Sequence, residues 1–148
     1  MSKGLIKPEK ALEEDVLAWA FQRRWSLDVY NSVGQFSASA GRYVRNKGMK
    51  TGTPDLCGSD DLGHAVYLEL KKPGKGKVCR LLQRQFLERK LEAHSFCLVV
   101  DDLGVLETTY SLWLSLRNKG QLKEASLMLK NLLPKKVLVD GKTITLES

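Results

Sequence analysis

Apolar residues along this chain follow two rhythms, one near 3.6 residues and one near two. From Pro8 to Trp25 the apolar positions Leu12, Val16, Leu17, Trp19, Ala20 and Phe21 recur at helical spacing, with no Gly and no later Pro. Proline at the first position suits a helix start, where its missing N–H costs nothing. At about 100° per residue these positions cover a broad face. Glu13 falls near the middle of that face, while Asp15 and Gln22 point away. A carboxylate among core residues is costly unless a cation or donor meets it.

Strand patterns follow. Val29 to Ala38 predicts a first strand with poor alternation, and Gly41 to Gly52 is a basic stretch. Leu56 to Gly58 predicts a short strand, closed by a Ser-Asp-Asp-Leu-Gly turn. Ala65 to Leu70 is apolar except for Glu69 and predicts a central strand. A loop rich in Gly and Lys, Lys71 to Lys77, leads into a helix over Leu81 to Glu92. Phe96 to Val100 is wholly apolar, as in a strand buried on both faces. Helices around Tyr110 to Leu116 and Leu122 to Leu132 precede a hairpin of Lys136–Val139 and Thr143–Leu146 about Asp140-Gly141. The order (helix, three strands, helix, strand, then additions) predicts an α/β core of about residues 8–101 with a mixed central sheet. A C-terminal helical and hairpin extension, about residues 102–148, completes a single domain.

Composition changes this picture in three ways. A chain of 148 residues that is 43% apolar can build a core, which excludes wholesale disorder. It contains no run of about 18 apolar residues and no secretory-type N-terminus, predicting a soluble intracellular, cytoplasmic protein without membrane contact. Lys and Arg number 24 against 17 Asp and Glu, and a net charge of +7 favours a polyanionic partner such as nucleic acid. Cys57, Cys79 and Cys97 are odd in number and lack Cys-x-x-Cys spacing, so reduced, buried thiols are expected. No phosphate-binding GxxxxGK[ST] loop occurs, leaving ATP-driven chemistry without support. His64 and His94, each alone at a turn, are read as structural.

Candidate chemistry lies between the basic stretches. In Gly52-Thr53-Pro54-Asp55-Leu56, Pro54 imposes an extended turn that places Asp55 at the mouth of a strand; an ordinary turn has the same composition. In Tyr67-Leu68-Glu69-Leu70-Lys71, Glu69 and Lys71 share one strand face and Leu68 and Leu70 the other, which also describes a plain ion pair at a strand edge. Asp55 and Glu69 together offer hard oxygen donors for Mg²⁺ or Mn²⁺, and Lys71 would stand beside the metal's water. Glu13, or its neighbour Glu14, could add a third carboxylate. Gln83, near the start of the second helix, is either a surface polar residue or an amide aligned on water or phosphate.

These residues resemble the PD-(D/E)xK nuclease superfamily and, within it, the virus-type replication-repair nuclease branch. The pattern comprises a helix Glu, GRYVRNKGMKTGTPDL, YLELKKPGKGK, and Leu82-Gln83 with Phe86 and Leu87, from roughly Glu13 to Val100. Where the family often has Gly at the turn after the second helix, this chain has His94. The resemblance implies a restriction-endonuclease-like core and Mg²⁺-dependent phosphodiester cleavage, with Mn²⁺ as a substitute. It implies catalysis by Asp55, Glu69 and Lys71, completed by Glu13 and Gln83, with Asp55, Glu69 and Leu70 contacting the metal.

Arg42, Arg45, Lys47 and Lys50 before Asp55, and Lys72, Lys75, Lys77, Arg80 and Arg84 after Glu69, are candidate DNA-backbone contacts; a solvated charged surface has the same composition. A small domain with no separate reader element suggests recognition of DNA shape. Stand-alone members of the branch are similar to Holliday-junction resolvases, which implies branched DNA and a homodimer. Leu127, Leu129, Leu132 and Leu133 could form its interface or pack inward. A sequence-specific endonuclease of restriction or homing type, a noncatalytic nucleic-acid-binding module and a basic protein-interaction adaptor are the competing expectations.

Overall fold

The computed structural model describes residues 8–30, 35–37, 42–44 and 52–146. In chain order it runs α1 (Pro8–Gln22), β1 (Ser26–Val29), β2 (Gln35–Ser37), β3 (Arg42–Val44), β4 (Leu56–Ser59) and β5 (Ala65–Leu70). There follow β6 (Val78–Arg80), α2 (Leu81–Glu92), β7 (Phe96–Val100), α3 (Leu103–Asn118), α4 (Leu122–Leu132), β8 (Lys136–Val139) and β9 (Lys142–Thr145). The main sheet has the order β1-β4-β5-β7, its first three strands antiparallel and β7 parallel to β5. The fold is therefore mixed α/β around a mixed sheet, as the element order predicted. β2 and β3 form a separate antiparallel pair, and β6, β8 and β9 a second mixed sheet.

Strand alternation divides the main sheet into two faces. Val66, Leu68, Phe96, Leu98 and Val100 are buried, and on their side Phe96 meets Tyr110 and Trp113 of α3 edge-on at 5.3 and 5.2 Å. On the opposite side Tyr67 meets Phe86 of α2 at 5.5 Å. One hydrophobic cluster joins Leu12 and Val16 of α1 to Leu87 of α2, Leu106 of α3 and Leu129 of α4. The C-terminal helices thus complete the same core as the N-terminal elements. Among the described residues, no helix is long and apolar enough to cross a membrane.

Five sequence expectations shift. The first helix stops at Gln22 because Arg24 turns left-handed (φ 63°). Trp25 N–H then bonds back to Ala20 O at 2.9 Å and Arg24 N–H to Phe21 O at 3.1 Å, closing the end as a Schellman motif. Trp25 returns onto Trp19, ring centroids 4.7 Å apart, supplying the apolar contact this motif favours. Phe21, expected on the core face, is 82% exposed. The first strand is Ser26–Val29, not Val29–Ala38, because the Schellman turn delivers the chain directly to β4; part of the expected strand lies in β2 and part outside the described residues. The third helix starts at Leu103, where Asp102 accepts the Gly104 N–H at 2.7 Å, seven residues before the periodicity becomes legible. The short β6 was not anticipated at all, nor was β3 inside the basic stretch; β6 exists by pairing with β8, nearly sixty residues downstream.

His94 ends α2 as Arg24 ends α1: φ is 63°, with His94 N–H on Leu91 O and Ser95 N–H on Lys90 O. This explains how a histidine occupies a turn that favours glycine. Its Nδ1 lies 2.9 Å from Ser126 Oγ, a bond glycine could not make. Among the four C-terminal leucines, Leu129 and Leu133 pack inward while Leu127 and Leu132 stay half exposed. The left-handed conformation costs a side-chain-bearing residue about 1 kcal/mol or more. Arg24→Gly should accordingly stabilise the fold by about 0.5–1 kcal/mol after allowing for the looser unfolded chain, read as a raised urea midpoint.

Candidate active site

Three local features aim Asp55. Gly52 has φ 91°, and a Cβ there would lie 2.4 Å from Leu82 O, so only glycine lets this segment press onto the first turn of α2. Pro54 is fully buried and fixes the approach to β4. Tyr30 N–H then bonds to Asp55 O at 2.8 Å, tying the segment to the end of β1. Asp55 Oδ2 in turn accepts the Leu70 N–H at 2.9 Å, which brings the carboxylate to the end of β5.

Glu69 sits opposite Val99 in the parallel β5–β7 register and is only 3% exposed. It lies against Asp55. Burial, a hydrogen bond to Asp55 and the negative charge of Asp55 push the Glu69 carboxyl well above the usual carboxylate range, against the opposing pull of Lys71 and Arg80. Its Oε2 is buried with no hydrogen-bond partner among the described residues. The same environment pushes the Cys57 thiol up to about 12, chiefly through burial and then the charges of Glu69 and Asp55, so it stays protonated and is no nucleophile. Cys79 and Cys97 are likewise buried free thiols.

Lys71 reaches Gln83: Nζ donates to Oε1 at 3.3 Å. The same oxygen accepts the Arg80 N–H at 3.0 Å. Gln83 is therefore buried, not a surface residue, and its one carbonyl both caps α2 and orients the ammonium. Asp55, Glu69, Lys71 and Gln83 are thus linked through contacts among β4, β5 and the start of α2.

Glu13 joins only in part. It lines a pocket of about 250 Å³ with Glu9, Lys10, Asp55 and Leu70, whereas Glu14 is exposed, so helix phase selects Glu13. The expected convergence of three carboxylates does not occur. Among the described residues, no three His, Cys, Asp or Glu side chains stand close enough to hold one ion. The Lys10 Nζ, 2.5 Å from Glu13 Oε2, claims the Glu13 carboxylate on its own helix.

A second buried acid, Asp60, escaped the sequence reading. Its Oδ1 accepts the Leu62 and His64 N–H groups at 3.0 and 2.8 Å, and its Oδ2 lies 2.7 Å from both His64 Nδ1 and Tyr110 Oη. Burial alone would raise its carboxyl, but the hydrogen bonds from Tyr110 and His64 outweigh that and hold it below the usual range. Asp60 is a satisfied structural carboxylate tying the β4–β5 turn to α3; Glu69 is not satisfied. Nothing in the sequence pairs residues 60 and 110.

Of the proposed basic contacts, Lys72, Lys75, Lys77 and Arg80 are exposed. Arg42 opens β3, while Arg45, Lys47 and Lys50 lie outside the described residues. Arg84 is a correction. Its guanidinium pairs with Glu88 at 2.9 Å and donates to Pro134 O, so it secures the C-terminal segment to α2 and is not free for phosphate.

No family model, curated protein or solved structure matches this chain. The donor set must therefore speak for itself. Two carboxylates in contact, one with a buried oxygen that has no partner among the described residues, suit a small hard cation that draws its other ligands from water and phosphate. Raising the Glu69 pKa on folding means the native state binds more protons than the unfolded chain at pH values above the ordinary glutamate range. Stability therefore falls as pH rises through that interval. Glu69→Gln removes the liability and should stabilise the metal-free protein at pH 7–8 by on the order of 1 kcal/mol, with the gain vanishing near pH 4, as thermal melts across that range would show.

Proposed function

We propose that this chain is a divalent-metal-dependent DNA endonuclease built on a restriction-endonuclease-like core of the PD-(D/E)xK type. The observation that carries the reading is the contrast between two buried carboxylates: Asp60 has all the partners it needs, whereas Glu69 is held against Asp55 with an oxygen that has no partner among the described residues. Proteins rarely bury an unsatisfied acid without a use for it. Supporting it are the order α1, β1, β4, β5, α2, β7 through the main sheet, and the position of Lys71 two residues beyond Glu69, held by Gln83.

In this reading Asp55 and Glu69, with the main chain of Leu70, would hold Mg²⁺ or Mn²⁺. A bound ion supplies charge stabilisation to the phosphodiester and a more acidic water. Asp55 is kept in orientation by the Leu70 N–H. Lys71, steadied by Gln83, offers an ammonium to the negative charge that develops on the phosphate oxygens. Glu13, released from Lys10, can accept a proton or a hydrogen bond from water in the neighbouring pocket. Branched DNA as substrate and a homodimer as the active form belong to the same proposal. What favours a second copy of the chain is the half-exposed pair Leu127 and Leu132.

Labelled linear, flapped and four-way DNA, incubated with and without Mg²⁺, tests the reading. Cleavage should require the ion and be strongest on the four-way form. Asp55→Ala and Glu69→Ala should each lose about 10³-fold or more in rate, and Lys71→Ala about 10²-fold, with DNA binding retained. Gln83→Ala and Glu13→Ala should cost roughly tenfold, and Glu14→Ala nothing measurable. Undiminished cutting by the Asp55 or Glu69 variant would overturn the assignment.

A further inference from the structure

The second sheet offers an exposed face that the catalytic residues do not use. Residues directly opposite one another across a ladder share a face. The pairings Val78↔Lys136, Arg80↔Leu138, Lys136↔Thr145 and Leu138↔Thr143 therefore put these six side chains on one side. Cys79 and Val137, on the other side, are buried against the rest of the protein. On the first side Arg80, Lys136, Leu138, Thr143 and Thr145 are all exposed.

Among the described residues this face carries cations and hydroxyls beside Val78 and Leu138, and no carboxylate. Lys77 and Lys135, each exposed, directly precede their paired strands and add two more cations at the same end of the sheet. Among the described residues none of Lys77, Arg80, Lys135 and Lys136 makes an ion pair. Arg80 and Lys136 are diagonal neighbours across the β6–β8 ladder, so these like charges raise one another's energy unless an anion comes between them. Among the described residues the face has no aromatic side chain on which an unpaired base could stack, which argues against single strands and for phosphate contact. It also adjoins the candidate active site, because the Arg80 N–H and the Lys71 ammonium bond the same Gln83 oxygen.

We propose that the outer face of β6, β8 and β9, with Lys77 and Lys135 at its edge, is a docking surface for the phosphate backbone of a duplex DNA arm leading away from the candidate active site. The choice of DNA rests on the nuclease reading above; the surface itself does not depend on cleavage. In this arrangement the C-terminal hairpin is a substrate-holding element. β8 brings Lys135 and Lys136 beside the strand that leads into α2.

Binding of fluorescent duplex and of single-stranded DNA of the same sequence, in metal-free buffer over a series of salt concentrations, tests this without requiring catalysis. Lys135→Ala/Lys136→Ala should weaken duplex binding about ten- to a hundredfold. It should also reduce the slope of log K against log salt by about two, one for each lost phosphate contact. Lys119→Ala/Lys123→Ala removes the same charge at the other end of α4 and should change the affinity less than twofold. Equal losses in the two double variants would reduce the effect to net charge and overturn the proposal. A loss confined to single-stranded DNA, or equal for both forms, would overturn its duplex specificity. An unchanged melting temperature for Lys135→Ala/Lys136→Ala excludes unfolding; should it fall, Lys136→Gln with Lys135 intact must still lower the slope by about one. Failure to cleave any DNA would sink the nuclease reading while leaving this result standing, and intact cleavage with unaltered binding would do the reverse.

Discussion

A carboxylate near the end of a buried strand is the constraint around which this structure is arranged. Glu69 interrupts an apolar β5, loses most of its contact with water and lies against a second acid, Asp55. Two acids in contact in such a place cannot both ionise without help, so one holds a proton or a cation intervenes. The neighbours supply only part of that help. The charges of Lys71 and Arg80 act on Glu69, but one of its oxygens has no partner among the described residues. The site is stable enough to form because the large core around it offsets the burial of its polar groups.

Much of the surrounding fold holds this pair in place. Gly52 lets the chain lie on the first turn of α2, Pro54 fixes its approach, and the Leu70 N–H grips Asp55. Gln83 couples helix formation to lysine placement, since a single oxygen receives both the Arg80 N–H and the Lys71 ammonium. The opposite end of the sheet shows the other fate of a buried acid: Asp60, surrounded by donors, serves as a structural joint between the β4–β5 turn and α3. The C-terminal third closes the main core with α3 and α4 and then returns as β8 and β9 to lie beside β6.

Strong local signals were legible in the sequence. The wholly apolar Phe96–Val100, the Leu122–Leu132 helix and the Asp140-Gly141 turn, whose φ values of 48° and 76° suit a tight hairpin, are found where their patterns place them. Weak or long-range signals were not. The first helix ends early because a left-handed arginine closes it, a conformation that composition does not announce. β6 has three residues and no pattern of its own; a distant strand makes it one. In the site, alternation alone put Glu69 and Lys71 on one face, but the burial of Gln83 and the engagement of Arg84 with Glu88 and Pro134 depend on what packs above them.

By itself, then, the sequence determined the long helices and the strongly patterned strands, the basic balance of the chain and the residue types available for chemistry. These follow from periodicity, turn preferences and charge, all of which act over a few residues. Only the tertiary structure decided which acid is satisfied and which is left wanting, that Glu13 is drawn to Lys10, and that the terminal hairpin stands beside Arg80. The physical reason is that desolvation and hydrogen-bond satisfaction are properties of a side chain's surroundings. In this protein those surroundings come from segments as far apart as residues 60 and 110.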